Sequence, residues 1–390
     1  MARTRAVTPP IEVASRPGLR LGMTPRAFLR RYWQKHPLLI RGAFADVPAP
    51  LAPDDLFAVA AEPEALARLV RTRGRRYALR TGPFAAAELA RLPARDWTLL
   101  VQDCDKWFDG ARDLLRHVAF IPSWRVDDVM VSYAADGGSV GAHVDQYDVF
   151  LVQAMGRRRW RVDTRAQAPR DFLPNQPLKL LRRFAPSHEW VLEPGDALYL
   201  PPGVPHHGVA DGACLTCSIG MRAPSAQELL MAFAAAQPAD ESRRYADPDL
   251  GPGDDPGVLD DASLHRARAL LRRLVDQPGD PDWLARFLTT YRSTHAPAPP
   301  RRKHDAATLR SRIARGARFE LSPWARALYR RERESCTLFV AGDAYPCSLV
   351  LARRLAGREA VTSLAARRLA ASDWATLAAL ANDGHAGLAR

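Results

Sequence analysis

Lysine is nearly missing from this chain. Of its 56 basic residues only Lys35, Lys106, Lys179 and Lys303 are lysines, and the arginines sit among abundant alanine and proline. A coding bias produces such a skew, so the net charge of +13 permits a ribosomal or nucleic-acid setting without establishing one. Cysteine is also sparse: five residues, an odd and scattered set, argue against a disulfide framework and suit a reducing compartment. Cys214 and Cys217 form one CxxC, but no second pair completes the four ligands of a structural zinc site. On a strand, three positions apart, they would face opposite ways. No uninterrupted apolar run reaches membrane-spanning length. The apolar core of a secretory signal is missing too. Residues 1–10 are arginine-rich and acid-poor like a mitochondrial presequence, but Pro9 and Pro10 spoil the amphipathic helix one would need. Residues 1–20 therefore read as a disordered leader on a cytoplasmic protein, and the chain holds no internal repeat.

What is present divides the 390 residues into two or three domains, with an apolar fraction of 47% to fill their cores. Thr24 as N-cap and Pro25 at the first helical position start a helix whose apolar face is Phe28, Leu29, Tyr32 and Trp33. A short strand over 37–41, a helical region over 53–70 and mixed short elements over 75–121 follow, together reading as a wrapping layer. From Asp127 to Arg222 the texture is β: strands are expected at 129–133, 147–153, 158–162, 190–192, 197–200 and 215–221. Many short strands between Gly/Pro turns imply a sandwich or barrel, and a cupin-like jelly roll fits best. Helical spacing returns at 226–236, 262–276 and 283–291, with a loop over 247–261 and a proline-rich boundary at 296–302. Beyond it come a helix at 306–315, a hairpin over 336–347 turning at Gly342-Asp343, and helices at 348–355 and 361–380. That order is winged-helix-like.

The chemistry concentrates between Gly137 and Gly208. His143 and Asp145, two apart on a strand, would share one face and could bite one ion, after Gly137, Gly138 and Gly141 let the backbone enter tightly. Pro194-Gly195-Asp196 and Pro201-Pro202-Gly203 would rigidly present a further histidine, His206 or His207. Two histidines and a carboxylate form the facial triad of non-haem Fe(II) sites. In 156–162, alternation puts Arg158 beside Trp160 and Val162 on the inner face, away from Arg157, Arg159 and Arg161. A buried guanidinium needs an anion, either an internal partner such as Asp148 or a dicarboxylate co-substrate such as 2-oxoglutarate. Asp128 and Met130 share a strand face, and Tyr147 shares that of His143 and Asp145. A carboxylate with Met and Tyr to sandwich a flat cation would suit an arginine side chain, although core packing accounts for the last two as well.

Taken together, His143-Val144-Asp145-Gln146-Tyr147-Asp148-Val149-Phe150, Gly156 to Arg161, Pro194-Gly195-Asp196 with Leu200 to His206, and Ser218 to Pro224 resemble the bacterial JmjC-type ribosomal oxygenases. The block from Phe28 to Ala45 is similar as well. The resemblance runs in motif detail from about Leu21 to Pro224 and in architecture beyond. It implies an α+β chain: a JmjC (cupin, double-stranded β-helix) oxygenase domain over 21–224 with its motif core at 127–222, a helical dimerisation domain over 225–297 and a winged-helix-like domain over 298–390. It implies Fe(II) held by His143, Asp145 and His206 rather than His207, 2-oxoglutarate held through Arg158, and O2 as oxidant. Asp128, Met130, Tyr147 and Ser218 match the family's substrate-binding pattern. The implied activity is hydroxylation of the β-carbon (C3) of an arginine in large-subunit ribosomal protein L-sixteen by a cytoplasmic homodimer, with no membrane contact and no direct nucleic-acid binding.

Two rivals follow from the same residues. The chemistry could act on a ribosomal histidine or a histone-like lysine; the Asp128 carboxylate suits a cation and is wasted on a neutral imidazole. Alternatively, a vestigial cupin could carry a winged-helix nucleic-acid regulator, with Arg301-Arg302-Lys303, Arg330-Arg331 and Arg367-Arg368 as phosphate contacts. Those basic residues are spread over several segments and form no recognition-helix pattern.

Overall fold

The computed structural model describes residues 10–389 apart from 75, 166, 167, 169, 239–241, 252–256, 277, 278, 292–294, 296, 334 and 335. Residues 1–9 of the expected leader, parts of the expected 247–261 loop and residue 296 thus lie outside the described residues. The leader does not extend to residue 20. Glu12–Ala14 is strand β1, parallel to β2 (Leu38–Arg41) with Val13 opposite Ile40. Helix α1 (Pro25–Arg31) lies between them. The Ala27 N–H donates to Thr24 Oγ1, and Phe28 is fully buried against Tyr199 and Phe150 at ring distances of 4.9 and 5.6 Å. Helix α2 (Pro53–Val59) is shorter than the expected 53–70. Pro63 cannot continue a helix, and the chain re-emerges as β3 (Ala67–Arg73). Next come β4 (Arg76–Thr81), α3 (Ala86–Leu89), β5 (Trp97–Val101), α4 (Cys104–Trp107) and α5 (Asp109–Asp113).

The jelly-roll strands are β6 (Val126–Ala134), β7 (Val149–Val162), β8 (His188–Leu192), β9 (Ala197–Leu200) and β10 (His206–Met221). Among the described residues, ten strands join in the order β1-β2-β9-β7-β10-β6-β5-β3-β4, with β8 paired to β7. The N-terminal third is therefore not a mere wrapping layer, because it supplies strands at both edges of this sheet. The two strands expected at 147–153 and 158–162 are one. Gly156, at φ +60°, carries the backbone through; an ideal Cβ there would stand 2.1 Å from the Ala213 carbonyl oxygen. Opposite it, the β10 register shifts between Asp211 and Leu215. The first half of β7 pairs with β9 and the second with β8, so the bend wraps the strands around an interior. Leu99, Val101, Val129, Val131, Leu215, Cys217 and Ile219 fill the apolar side. Cys214 and Cys217 are both buried, unpaired core residues.

Helices α6 (Ala226–Ala235), opened by a Ser225/Glu228 capping box, α7 (Asp261–Asp276) and α8 (Trp283–Thr289) follow. The C-terminal body comprises α9 (Ala306–Ala314), β11 (Arg318–Leu321), β12 (Ala327–Arg331), β13 (Cys336–Val340), β14 (Asp343–Cys347), α10 (Leu349–Ala356), α11 (Ser363–Ala366), α12 (Asp373–Asn382) and β15 (Ala386–Ala389). It buries its own core of Leu309, Phe319, Leu338, Leu351 and Leu377. Its β13–β14 hairpin turns at Ala341-Gly342, one residue earlier than expected. Val340 pairs with Asp343, and both turn residues have positive φ (57° and 97°), as a two-residue hairpin requires. No helix among the described residues is long and apolar enough to cross a membrane.

Candidate active site

His143 does not lie within a strand. It sits in the 135–148 connection and forms an isolated bridge with His206 at the start of β10: His143 N donates to His206 O and His206 N to His143 O, both at 3.0 Å. His143 and Asp145 thus do not share a strand face as expected, but they still converge with His206. The bridge brings the imidazoles to 4.2 Å between ring centres. Asp145 joins them because the Gly203 N–H donates to its carbonyl at 2.7 Å, tying the Pro-Pro-Gly loop to the ligand loop. Its carboxylate stands 3.9 Å from His143 Nε2 and 3.5 Å from His206 Nε2. One ligand atom from each residue falls within 4.8 Å of the others.

The hydrogen bonds behind the rings decide which nitrogens face inward. His143 Nδ1 lies 2.9 Å from Gly141 O and His206 Nδ1 2.9 Å from Val204 O. A carbonyl only accepts, so both Nδ1 atoms carry the proton and both Nε2 lone pairs point to the common centre. Burial and the neighbouring His143 push the His206 pKa down to about 4, so the ring is neutral at pH 7. Two imidazoles and a carboxylate on a facial corner fit a non-haem iron. His207 is not part of this group. It points to the other face of β10, with its Nε2 3.0 Å from Ser139 Oγ.

Arg158 is 3% exposed, beside Trp160 (4%) and Val162 (0%), as alternation implied. The intervening Arg157, Arg159 and Arg161 pair outward with Asp211 and Glu189. Arg158 donates to Ser132 Oγ at 3.2 Å and Gly208 O at 3.5 Å; its Nε has no partner, and no carboxylate among the described residues forms an ion pair with it. The internal partner considered for it, Asp148, is used elsewhere: it accepts from Tyr199 Oη at 2.6 Å and Gln34 Nε2 at 2.9 Å and pairs with Arg125. A cation so deeply buried without a counter-charge calls for a bound anion.

All eight expected residues line one cavity of about 450 Å³. Ser218 on β10 lies opposite Met130 on β6, and Gly220 opposite Asp128. Asp128 is 5% exposed and accepts the Asp103 N–H at 2.9 Å, while Tyr147, 41% exposed, stands at the mouth. Sequence reasoning missed part of the lining. Arg68 comes from β3, Leu100 from β5, Gln102 from just beyond it, and Leu178 and Lys179 from the β7–β8 connection. Arg68, whose Nη2 lies 3.7 Å from Met130 Sδ, reaches the cavity only because β3, β5 and β6 are sheet neighbours, and no local motif announces that.

The JmjC domain family matches residues 113–229, a ROXA-like winged helix residues 281–387 and an AraC-like ligand binding domain residues 186–308. The ribosomal protein uL16 3-hydroxylase of Escherichia coli (strain K12) is 36% identical over 276 residues, covering 70% of this chain and 73% of that protein. The chain belongs to the JmjC-type ribosomal oxygenases. Two solved structures of E. coli YcfD, a ribosomal oxygenase, cover 95% of this chain and 99% of theirs. One, with cobalt and 2-oxoglutarate, superposes at TM-score 0.79 and 30% identity; the other, with cobalt and succinic acid, at 0.77 and 31%.

Proposed function

We propose that this protein is an Fe(II)- and 2-oxoglutarate-dependent oxygenase that hydroxylates large-subunit ribosomal protein uL16, the L-sixteen protein, at the β-carbon of an arginine. The observation that carries this reading is a buried, unpaired Arg158 lining the same cavity as the His143, Asp145 and His206 cluster. His143, Asp145 and His206 would hold the iron. Arg158, with Ser132, would take the distal carboxylate of 2-oxoglutarate through charge-assisted hydrogen bonds. Once bound, the metal and keto acid supply the oxidation of a C–H bond by O2, with succinate and carbon dioxide released. The chain's own work is to position the target and keep water away from it. Asp128 would receive the guanidinium, Met130 and Tyr147 would flank its flat faces, and Ser218 would close the wall opposite Met130. A buried carboxylate favours a cationic target over an imidazole, and comparison of arginine- and histidine-containing peptides separates the two.

The test is iron-dependent succinate formation with a uL16 peptide, followed by mass spectrometry for one added oxygen. Turnover that survives loss of both His143 and Asp145 sinks the iron assignment. The rival nucleic-acid reading is disfavoured by Arg330, which pairs with Asp282 and Glu332 instead of standing free for phosphate. Sequence-selective duplex binding by the protein at physiological salt would revive it. The same chain is read as a homodimer: Leu230, Met231, Leu271 and Val275 on α6 and α7 are at least half exposed, an apolar surface that a second copy would cover. Its action on a ribosomal protein supports a cytoplasmic location.

A further inference from the structure

His207 adjoins a proposed iron ligand yet faces away from the site. Its Nε2 lies 3.0 Å from Ser139 Oγ, and the same oxygen accepts the Gly141 N–H at 3.0 Å. A hydroxyl has one proton and two lone pairs, so an Oγ that accepts from Gly141 still has its proton for His207. The Gly141 carbonyl in turn receives the His143 Nδ1–H at 2.9 Å. One continuous chain therefore runs His207–Ser139–Gly141–His143 and ends on the imidazole that faces Asp145 and His206. Each link is pinned from outside the site. Ser139 is 2% exposed, its carbonyl accepts from Thr72 Oγ1 at 3.3 Å, and it bridges to Val209 on β10. Gly141 has φ +83°, and an ideal Cβ there would stand 2.5 Å from Leu180 Cδ2, so only glycine fits at this point of the chain. Phe184 packs edge-on against the His207 ring at 6.1 Å.

We propose that Ser139 and His207 are positioning residues for the metal site. They hold the Gly141 N–H, and through that residue's backbone the carbonyl that receives the His143 Nδ1–H, so that Nε2 rather than Nδ1 is presented to the ion. The inference rests on the iron reading of the His143, Asp145 and His206 cluster. It also gives His207 a role of its own: it supports a ligand instead of competing to be one. Partners that orient a ligating histidine typically change metal affinity about tenfold to a hundredfold when removed.

Titration of the metal-free, full-length protein with Co(II), followed by the ligand-field absorption of the bound ion, tests it without turnover. Ser139→Ala is expected to weaken Co(II) binding about tenfold or more and to alter the absorption envelope. His207→Ala should weaken it as well. The double variant should bind no worse than Ser139→Ala alone, because both act through one chain of contacts. His207→Gln, whose amide can still meet Ser139 Oγ, should recover most of the affinity. The proposal is overturned if either single alanine variant binds Co(II) like the wild type, if the two losses multiply, or if glutamine restores nothing. Failure of the wild type to bind Co(II) would instead overturn the iron reading itself, and this inference with it.

Discussion

At the scale of single residues, the site is defined by what its polar atoms lack. Arg158 has two neutral acceptors and no carboxylate, and charged hydrogen bonds of this kind are worth about 1.5–3 kcal/mol each. Arg158→Ala should therefore raise the KM for 2-oxoglutarate by about tenfold to a hundredfold or more. Arg158→Lys should recover part of the loss, since lysine restores the charge but not the fork. Succinate release against 2-oxoglutarate concentration measures both. Protons supply a second handle. Burial pushes His206 and His207 down to about 4 from the ordinary 6.5, so between those values the unfolded chain binds protons that the folded chain refuses. Stability of the metal-free protein should be intact above pH 6.5 and fall as pH drops toward 4. Urea midpoints at pH 7 and pH 4.5 check the sign: a midpoint that rises on acidification contradicts it.

The elements matter through the places where they must approach closely. Gly208, early in β10, lies over the second half of β7; an ideal Cβ would sit 2.7 Å from Trp160 Cη2 and 2.8 Å from Arg158 Nε. Gly208→Ala should push the guanidinium out of line. The expected result is a 2-oxoglutarate KM raised about tenfold and a stability loss of about 1–3 kcal/mol from overpacking, read by steady-state kinetics and urea unfolding. At this scale the sequence was partly legible. Thr24 and Pro25 announced α1, and apolar residues at three- and four-residue spacing over 226–236 announced α6. The single long β7 was not legible, because Gly156 looked like a turn residue. It acts as a bend only because β10 bulges opposite it, and a partner strand is invisible to local pattern.

Across the whole molecule the C-terminal body is anchored to the edge of the cavity. Arg326, just ahead of β12, pairs with Asp127, which lines the active-site cavity and also the 710 Å³ cleft between the two bodies; Trp324 meets Trp107 edge-on at 5.7 Å. Arg326→Ala should cost about 1 kcal/mol of stability, as a partly exposed ion pair does, and raise the KM for the protein substrate more than it lowers kcat. Calorimetry and a substrate titration read the two effects. On α7, where no residue is buried, Leu271→Glu should convert a dimer into a monomer in sedimentation at micromolar concentration, with little loss of turnover per chain if each cavity works alone. A wild type that sediments as a monomer would count against the dimer.

The amino-acid sequence by itself indicated the candidate donor types (His143, Asp145 and one of His206 or His207), the inner face of the Arg158 strand and the β texture between Asp127 and Arg222, because alternation, turn residues and side-chain chemistry are local properties. The identity of the second histidine could not be settled locally, since neighbours in a chain differ only in which way they point. Pairing of His206 with His143 settles that direction, and pairing of β3, β5 and β6 carries Arg68 into the cavity. Register across strands is set by residues far apart in sequence, and so only the tertiary structure decided which side chains share the site.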